Sequence, residues 1–212
     1  MKTLLINAHP DYYNMNTYSA KLQHLFKHEI ATHFPDTEIT TLNIYETVIP
    51  KLDNQQLLNI WEKQNNHQKL DTIESQLFNI WIELITQFKE HHRIVIVMPM
   101  HNFNIPSKLK DYMDNILIAR ETFKYTSDGS VGLMTDNYKG LLLQASGSVY
   151  TNNDRYTKLE FSYDYLKAMF EEIMGFDSFD IVRAEGTAIY SDNEVMTNAQ
   201  REMINKLPAF YK

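Results

Sequence analysis

Apolar residues recur along this chain in two patterns. One is the short, nearly unbroken run: Thr3 to Ile6, Ile94 to Val97 and, within Lys139 to Ser146, the segment Leu141 to Leu143. Such runs predict strands buried on both faces. Glu38 to Asn43 and Ser178 to Ala184 predict two more strands. The other pattern is helical spacing. It takes in Tyr18, Leu22, Leu25, Phe26 and Ile30 after Thr17, then the stretch from Leu70 through Ile80 and Trp81 to Phe88. It returns in Ile105, Leu109, Met113, Ile116 and Leu117, with Pro106 where a first turn tolerates proline. Phe161, Tyr165, Leu166, Met169, Phe170 and Ile173 mark another helix, stopped at Gly175, and Glu194 to Leu207 the last.

Strands and helices alternate, which predicts an α/β fold: a doubly wound, five-stranded, parallel sheet with helices on both faces and right-handed crossovers. Residues 1–212 form one domain in this reading, with a helical insertion around 50–90. Residues 50–69 are polar and rich in Gln and Asn, with no clear period. Thr122 to Gly129 predicts a short extended arm closing in an Asp-Gly turn.

Composition narrows the function. A net charge of −7 argues against a broad grip on nucleic acid or anionic membrane. The absence of cysteine removes thiolate chemistry and Cys-ligated metals. No apolar run approaches membrane-spanning length, and Thr3 to Ile6 is too short for a signal peptide's core, so a soluble, cytoplasmic protein is expected. No metal is expected either. His24 and His28 share a helix face, but Leu25 stands where a zincin would carry glutamate. His91-His92 reads as a solvated loop, and Trp61 as a packing residue.

The first βα turn, Asn7 to Thr17, holds no glycine, so it lacks the dinucleotide fingerprint. The phosphate-binding G-x-x-x-x-G-K loop and the G-x-S-x-G nucleophile turn are absent too. What remains is a polar loop running into a helix start at Asn16, Thr17 and Ser19, where free N–H groups suit one phosphate. The same residues also suit an ordinary helix cap. With strand order 2-1-3-4-5, this loop and the loop Pro99-Met100-His101-Asn102-Phe103-Asn104 meet at the switch point. A phosphate on one and a flat ring on the other describe a mononucleotide such as FMN.

These residues also carry a resemblance. Pro99 to Ile105, with Leu109, Lys110 and Tyr112, resembles the P-M-Y-N-F-N-I-x-x-x-L-K-x-Y segment of bacterial FMN-dependent NADH:azoreductases. These are flavodoxin-like relatives of the NAD(P)H:quinone reductases. Thr122 to Thr126 with Gly129 and Gly132 resembles the same family's T-F-R-Y-T-x-x-G-x-x-G, and Ala184-Glu185-Gly186 its A-E-G. The resemblance implies a flavodoxin-like fold, a homodimer with FMN at the subunit interface, and two-electron transfer from NADH to a quinone or azo compound. It places flavin contacts at His9, Met15, Asn16, Thr17, Pro99, Met100, His101, Asn102, Phe103, Ala145, Ser146, Gly147 and Ser148. The chain departs from the family at His9, often serine there; at Ala145 to Ser148, usually S-R-G-G; and at Tyr150, often histidine.

The cofactor does the chemistry in such an enzyme, and the protein orients it. Backbone N–H groups around Asn102 are expected at the ring's N5 and carbonyl edge. Phe103 and Tyr125 are expected as apolar walls, and Tyr150 as a donor near the pyrimidine end. Nicotinamide and acceptor sharing one pocket implies ping-pong kinetics. No basic cluster awaits a 2′-phosphate, which favours NADH, with NADPH possible. Two other readings stay open: a flavodoxin-type one-electron carrier, and a flavin-free regulatory module on the same fold.

Overall fold

The computed structural model describes residues 1–212. In chain order the elements are β1 (Lys2–Asn7), α1 (Tyr18–His33), β2 (Glu38–Asn43), α2 (Leu57–Asn65), α3 (Thr72–Lys89), β3 (Arg93–Pro99) and α4 (Ser107–Ile116). There follow β4 (Phe123–Thr126), β5 (Gly129–Gly132), β6 (Lys139–Ala145), α5 (Phe161–Lys167, continuing as a π-helical stretch Ala168–Met174), β7 (Ser178–Ala184) and α6 (Asp192–Phe210). Five strands pair in parallel in the order β2-β1-β3-β6-β7, the 2-1-3-4-5 order expected. β4 and β5 form a separate two-stranded ribbon.

The apolar runs are unbroken because both sheet faces are covered. Leu4, Ile6, Ile94, Ile96, Leu142 and Ile181 face the core that packs under α3, α4 and α5. Alternate residues, Leu5, Val95, Val97, Leu141, Leu143 and Val182, face α1 and α6. Register then decides where the loops emerge. Asn7 pairs with Val97, Pro99 with Ala145, and Ala145 with Ala184, so the carboxyl ends of β1, β3, β6 and β7 lie along one edge. Backbone bonds carry the ladder one residue further, from Ala8 N to Val97 O (2.8 Å), Met100 N to Ala145 O (2.8 Å) and Ser146 N to Ala184 O (3.0 Å).

Some expectations needed correction. The helical insertion expected around 50–90 gains definite bounds in its polar part, where Leu57–Asn65 is helical. Leu57, Ile60 and Trp61 stand at i, i+3 and i+4, and Leu57 and Trp61 pack against Trp81 and Ile85. The surrounding Gln and Asn had masked that stripe. α3 begins at a capping box, with Asp71 and Glu74 each accepting from the other's backbone N–H at 2.9 Å. The arm is a hairpin whose two turn residues are Ser127 and Asp128, since Thr126 pairs with Gly129. His91 is not solvated: it is 6% exposed, with Nδ1 2.7 Å from Gln87 O and Nε2 3.2 Å from the Thr40 hydroxyl. No helix is long and apolar enough to cross a membrane.

Candidate functional site

Three loops leave the shared edge: 8–17 after β1, 100–106 after β3 and 146–150 after β6. The first is built by its own side chains. The Asn7 side chain accepts from His9 N (3.0 Å), His9 Nδ1 from Asp11 N (3.0 Å), and Asn14 Oδ1 from Asn16 N (3.0 Å). These short side-chain-to-backbone bonds hold a loop without glycine in a tight course. It delivers the chain to the N-terminus of α1.

Thr17 is the N-cap. Its hydroxyl accepts from Ala20 N at 3.2 Å and donates to Asn14 O at 3.2 Å. The capping role weighed for Thr17 is therefore real, and its hydroxyl is fully engaged. The N–H groups of Tyr18 and Ser19 have no acceptor within the chain, and the buried Ser19 hydroxyl has no partner. That is a donor set for one phosphate at the positive end of a sixteen-residue helix. Met15 and Asn16 are exposed beside it.

The second loop is a two-residue turn. His101 and Asn104 exchange both backbone hydrogen bonds at 2.9 Å, leaving Asn102 and Phe103 at its tip with φ of +46° and +66°. Two consecutive positive φ values are the signature of a type I′ turn, which normally takes Asn and Gly. Phenylalanine there carries strain of order 1–3 kcal/mol, and such strain collects at functional sites. Ile105 N donates to Asn104 Oδ1 at 2.8 Å, locking the exit into α4. The His101, Asn102 and Phe103 side chains stay exposed, while Pro99 and Met100 are half-buried where the loop leaves β3.

The third loop is anchored from behind. The Glu185 carboxylate accepts from Tyr150 N at 2.8 Å and from the Thr151 hydroxyl. Ser146 Oγ donates to Ser148 O at 3.0 Å, and Gly186 N donates to the same carbonyl at 3.1 Å. Ala145 and Ser146 are buried, whereas Gly147 is exposed. A Cβ on Gly147 would meet nothing nearer than Ala188 Cβ at 3.8 Å, so the space above the loop is open to a flat group. The role of Glu185 was missed although its A-E-G motif was visible, because spacing alone cannot say which way a carboxylate turns.

The loops meet. The Phe103 ring stands edge-on to Tyr150 with centroids 6.5 Å apart, and Tyr150 stands edge-on to Tyr156 at 6.3 Å. Tyr150 is 7% exposed, and burial raises its hydroxyl pKa, so it remains a neutral donor. Burial lowers the His9 imidazole pKa; neighbouring His101 reinforces that and Asp11 opposes it. Because its Nδ1 lone pair accepts Asp11 N–H, neutral His9 carries its proton on Nε2. A lowered pKa means that the unfolded chain binds the proton more readily. The His9 contribution to stability is therefore present above the ordinary value of 6.5 and lost as pH falls through the depressed value. His9→Asn should flatten that part of the Tm-versus-pH curve, and a melting series from mildly acidic to neutral pH checks it.

Tyr125 lies elsewhere within the chain. It is 75% exposed on the β4–β5 ribbon, edge-on to Phe123 at 5.3 Å. It borders a groove of about 880 Å³ walled by Trp61, Phe78, Trp81, Ile118 and Phe123. That groove, bordered also by Asp114 and Leu117, sits at the far end of α4 from the Phe103 turn, and α4 itself is about 15 Å long.

Comparison with known proteins accords with the fold. A family model described as a flavodoxin-like fold matches residues 1–207. The FMN-dependent NADH:quinone oxidoreductase 1 of Lactiplantibacillus plantarum is 60% identical over 185 residues, covering 87% of this chain and 86% of that protein. The Streptococcus agalactiae FMN-dependent NADH:quinone oxidoreductase is 44% identical over 211 residues, 100% of this chain and 99% of that one. Among solved structures, an FMN-dependent NADH-azoreductase from Bacillus anthracis in complex with FMN superposes with a TM-score of 0.93. It is 46% identical and covers 100% of this chain and 99% of that one.

Proposed function

The chain belongs to the flavodoxin-like family of FMN-dependent NADH:quinone oxidoreductases and NADH-azoreductases, and from that premise we propose how its residues serve the reaction. It is an oxidoreductase that takes two electrons from NADH, through bound FMN, to a quinone or azo compound. The observation that carries the site assignment is the meeting of an unsatisfied helix N-terminus with a strained, exposed turn at one sheet edge.

FMN fits the donors present: Tyr18 N–H, Ser19 N–H and the Ser19 hydroxyl would hold the phosphate, with Asn16 beside them. When bound, the flavin supplies the electron relay between nicotinamide and acceptor. Asn102 and Phe103, at positive φ, form the exposed tip whose backbone N–H groups would meet the edge of the ring, while the Phe103 carbonyl is bonded to Phe161 N–H. Pro99, Met100 and His101 carry the backbone along the ring, and Ala145 to Ser148 cover its other end. Tyr150 offers a neutral hydroxyl that makes no hydrogen bond within the chain. Phe103 keeps water from one side of the pocket.

The exposed apolar groups Tyr13, Met15, Phe103, Tyr125 and Phe161 support a homodimer with the flavin at the interface. In that assembly Tyr125 would serve the partner's pocket, which accounts for its distance from Phe103 in one chain. The missing cysteines and modest acidity accord with a cytoplasmic enzyme.

One pocket used in turn by nicotinamide and acceptor gives parallel double-reciprocal plots when NADH and a quinone are varied together. Intersecting lines would show that both bind at once. NADH should bleach the purified protein's flavin colour anaerobically without a partner enzyme. A one-electron carrier would not bleach, and a flavin-free module would be colourless and gain no thermal stability from FMN.

A further inference from the structure

Glu160 stands at the N-cap of α5 yet makes no capping bond. Its carboxylate turns inward instead. One oxygen accepts from Arg183 Nη2 at 2.8 Å; the other accepts from Arg183 Nε at 3.1 Å and from Gln144 Nε2 at 2.7 Å. The two charged side chains are only 10% and 16% exposed. Ser162 Oγ, fully buried, donates to Gln144 Oε1 at 2.7 Å. Phe161 is thus clamped on both sides by anchored neighbours, and its N–H donates to Phe103 O at 3.1 Å. That is the one hydrogen bond tying the Asn102–Phe103 tip to the rest of the fold.

A buried bidentate pair gains little net stability, because desolvating two charges offsets their attraction. What it does supply here is direction. We propose that Glu160 is a positioning residue of the reaction, holding the strained Asn102–Phe103 turn in register through the Phe161 N–H. The inference rests on the reading that this turn faces the flavin. Gln144 reports the same geometry from β6, two residues before the third loop begins at Ser146.

Removing Glu160 alone would strand the Arg183 charge, so the test uses the double variant Glu160→Ala with Arg183→Met, which deletes both partners. Folded and FMN-loaded, it should be bleached by NADH about tenfold more slowly, since displacements of an ångström cost up to about a hundredfold. KM for NADH should stay within about twofold, and the flavin absorption bands should shift as the ring loses its fixed edge contact. Glu160→Gln keeps an oxygen for Arg183 and should recover most of the rate. A loaded double variant with the normal bleaching rate and spectrum overturns the proposal, as does a Glu160→Gln protein no faster than the double variant. Should the double variant not fold, Ser162→Ala, which loosens only the Gln144 anchor, is read the same way, with about threefold slowing supporting the proposal and none overturning it. Unaltered protein that takes up no FMN would instead overturn the underlying site assignment.

Discussion

Thr17→Glu is expected to yield a folded protein that no longer retains FMN. The residue caps α1 at the point where Tyr18 and Ser19 present unsatisfied N–H groups. A carboxylate about 4 Å from a phosphate is repelled by roughly 1–4 kcal/mol per unit charge between bulk-water and surface dielectrics. That predicts FMN binding weaker by about ten- to a thousandfold. Losing the bond from Ala20 N to the Thr17 hydroxyl costs about 1 kcal/mol of stability. The favourable position of a negative charge at a helix start offsets part of it, so the fold persists. Thr17→Ser keeps the cap and should keep the flavin. Fluorescence titration of the apoprotein with FMN measures both, and an unchanged affinity in Thr17→Glu would put the phosphate elsewhere.

Gly132→Ala should lower stability by about 3 kcal/mol, at the upper end of the cost of overpacking. A Cβ there would stand 2.4 Å from Met174 carbonyl carbon and oxygen and from Gly175 N. All three are backbone atoms at the end of the π-helical stretch, where Gly175 sits at φ +87° and Met174 O accepts from Met134 N at 2.9 Å. Neither side can yield without releasing the ribbon. For a chain of 212 residues, about 3 kcal/mol lowers Tm by roughly 6–12 °C. The exposed Val131 beside it is the control, and Val131→Ala should shift Tm little. Because the ribbon carries Tyr125, quinone reduction in Gly132→Ala should fall even at temperatures where the protein is folded. A Tm equal to that of the parent would show that the ribbon is not seated on the π-helical stretch.

The sheet was legible because burial on both faces leaves a short, period-free apolar run rich in β-branched residues, as in Ile94 to Val97. The two site loops were legible because strand order fixes which loops share an edge, and 8–17 and 99–104 do share one. The bounds of α2 within the expected helical insertion were not legible, since its stripe of Leu57, Ile60 and Trp61 stands out only when Trp81 and Ile85 supply something to pack against. Nor was the occupation of the Thr17 hydroxyl. Residue type announced a hydroxyl at a helix start, but its two bonds depend on where Asn14 and Ala20 lie.

Local chemistry along the chain determined the alternation of strands and helices and the polar loop residues offered to a ligand. Those depend on periodicity, φ preferences and donor types, which each short segment carries within itself. The tertiary structure alone decided that Tyr125 borders a groove at the far end of α4, that Glu185 pins the third loop, and that Glu160 turns inward to Arg183. The physical reason is that side-chain direction and contacts between distant residues are set by packing, and packing is a property of the whole fold.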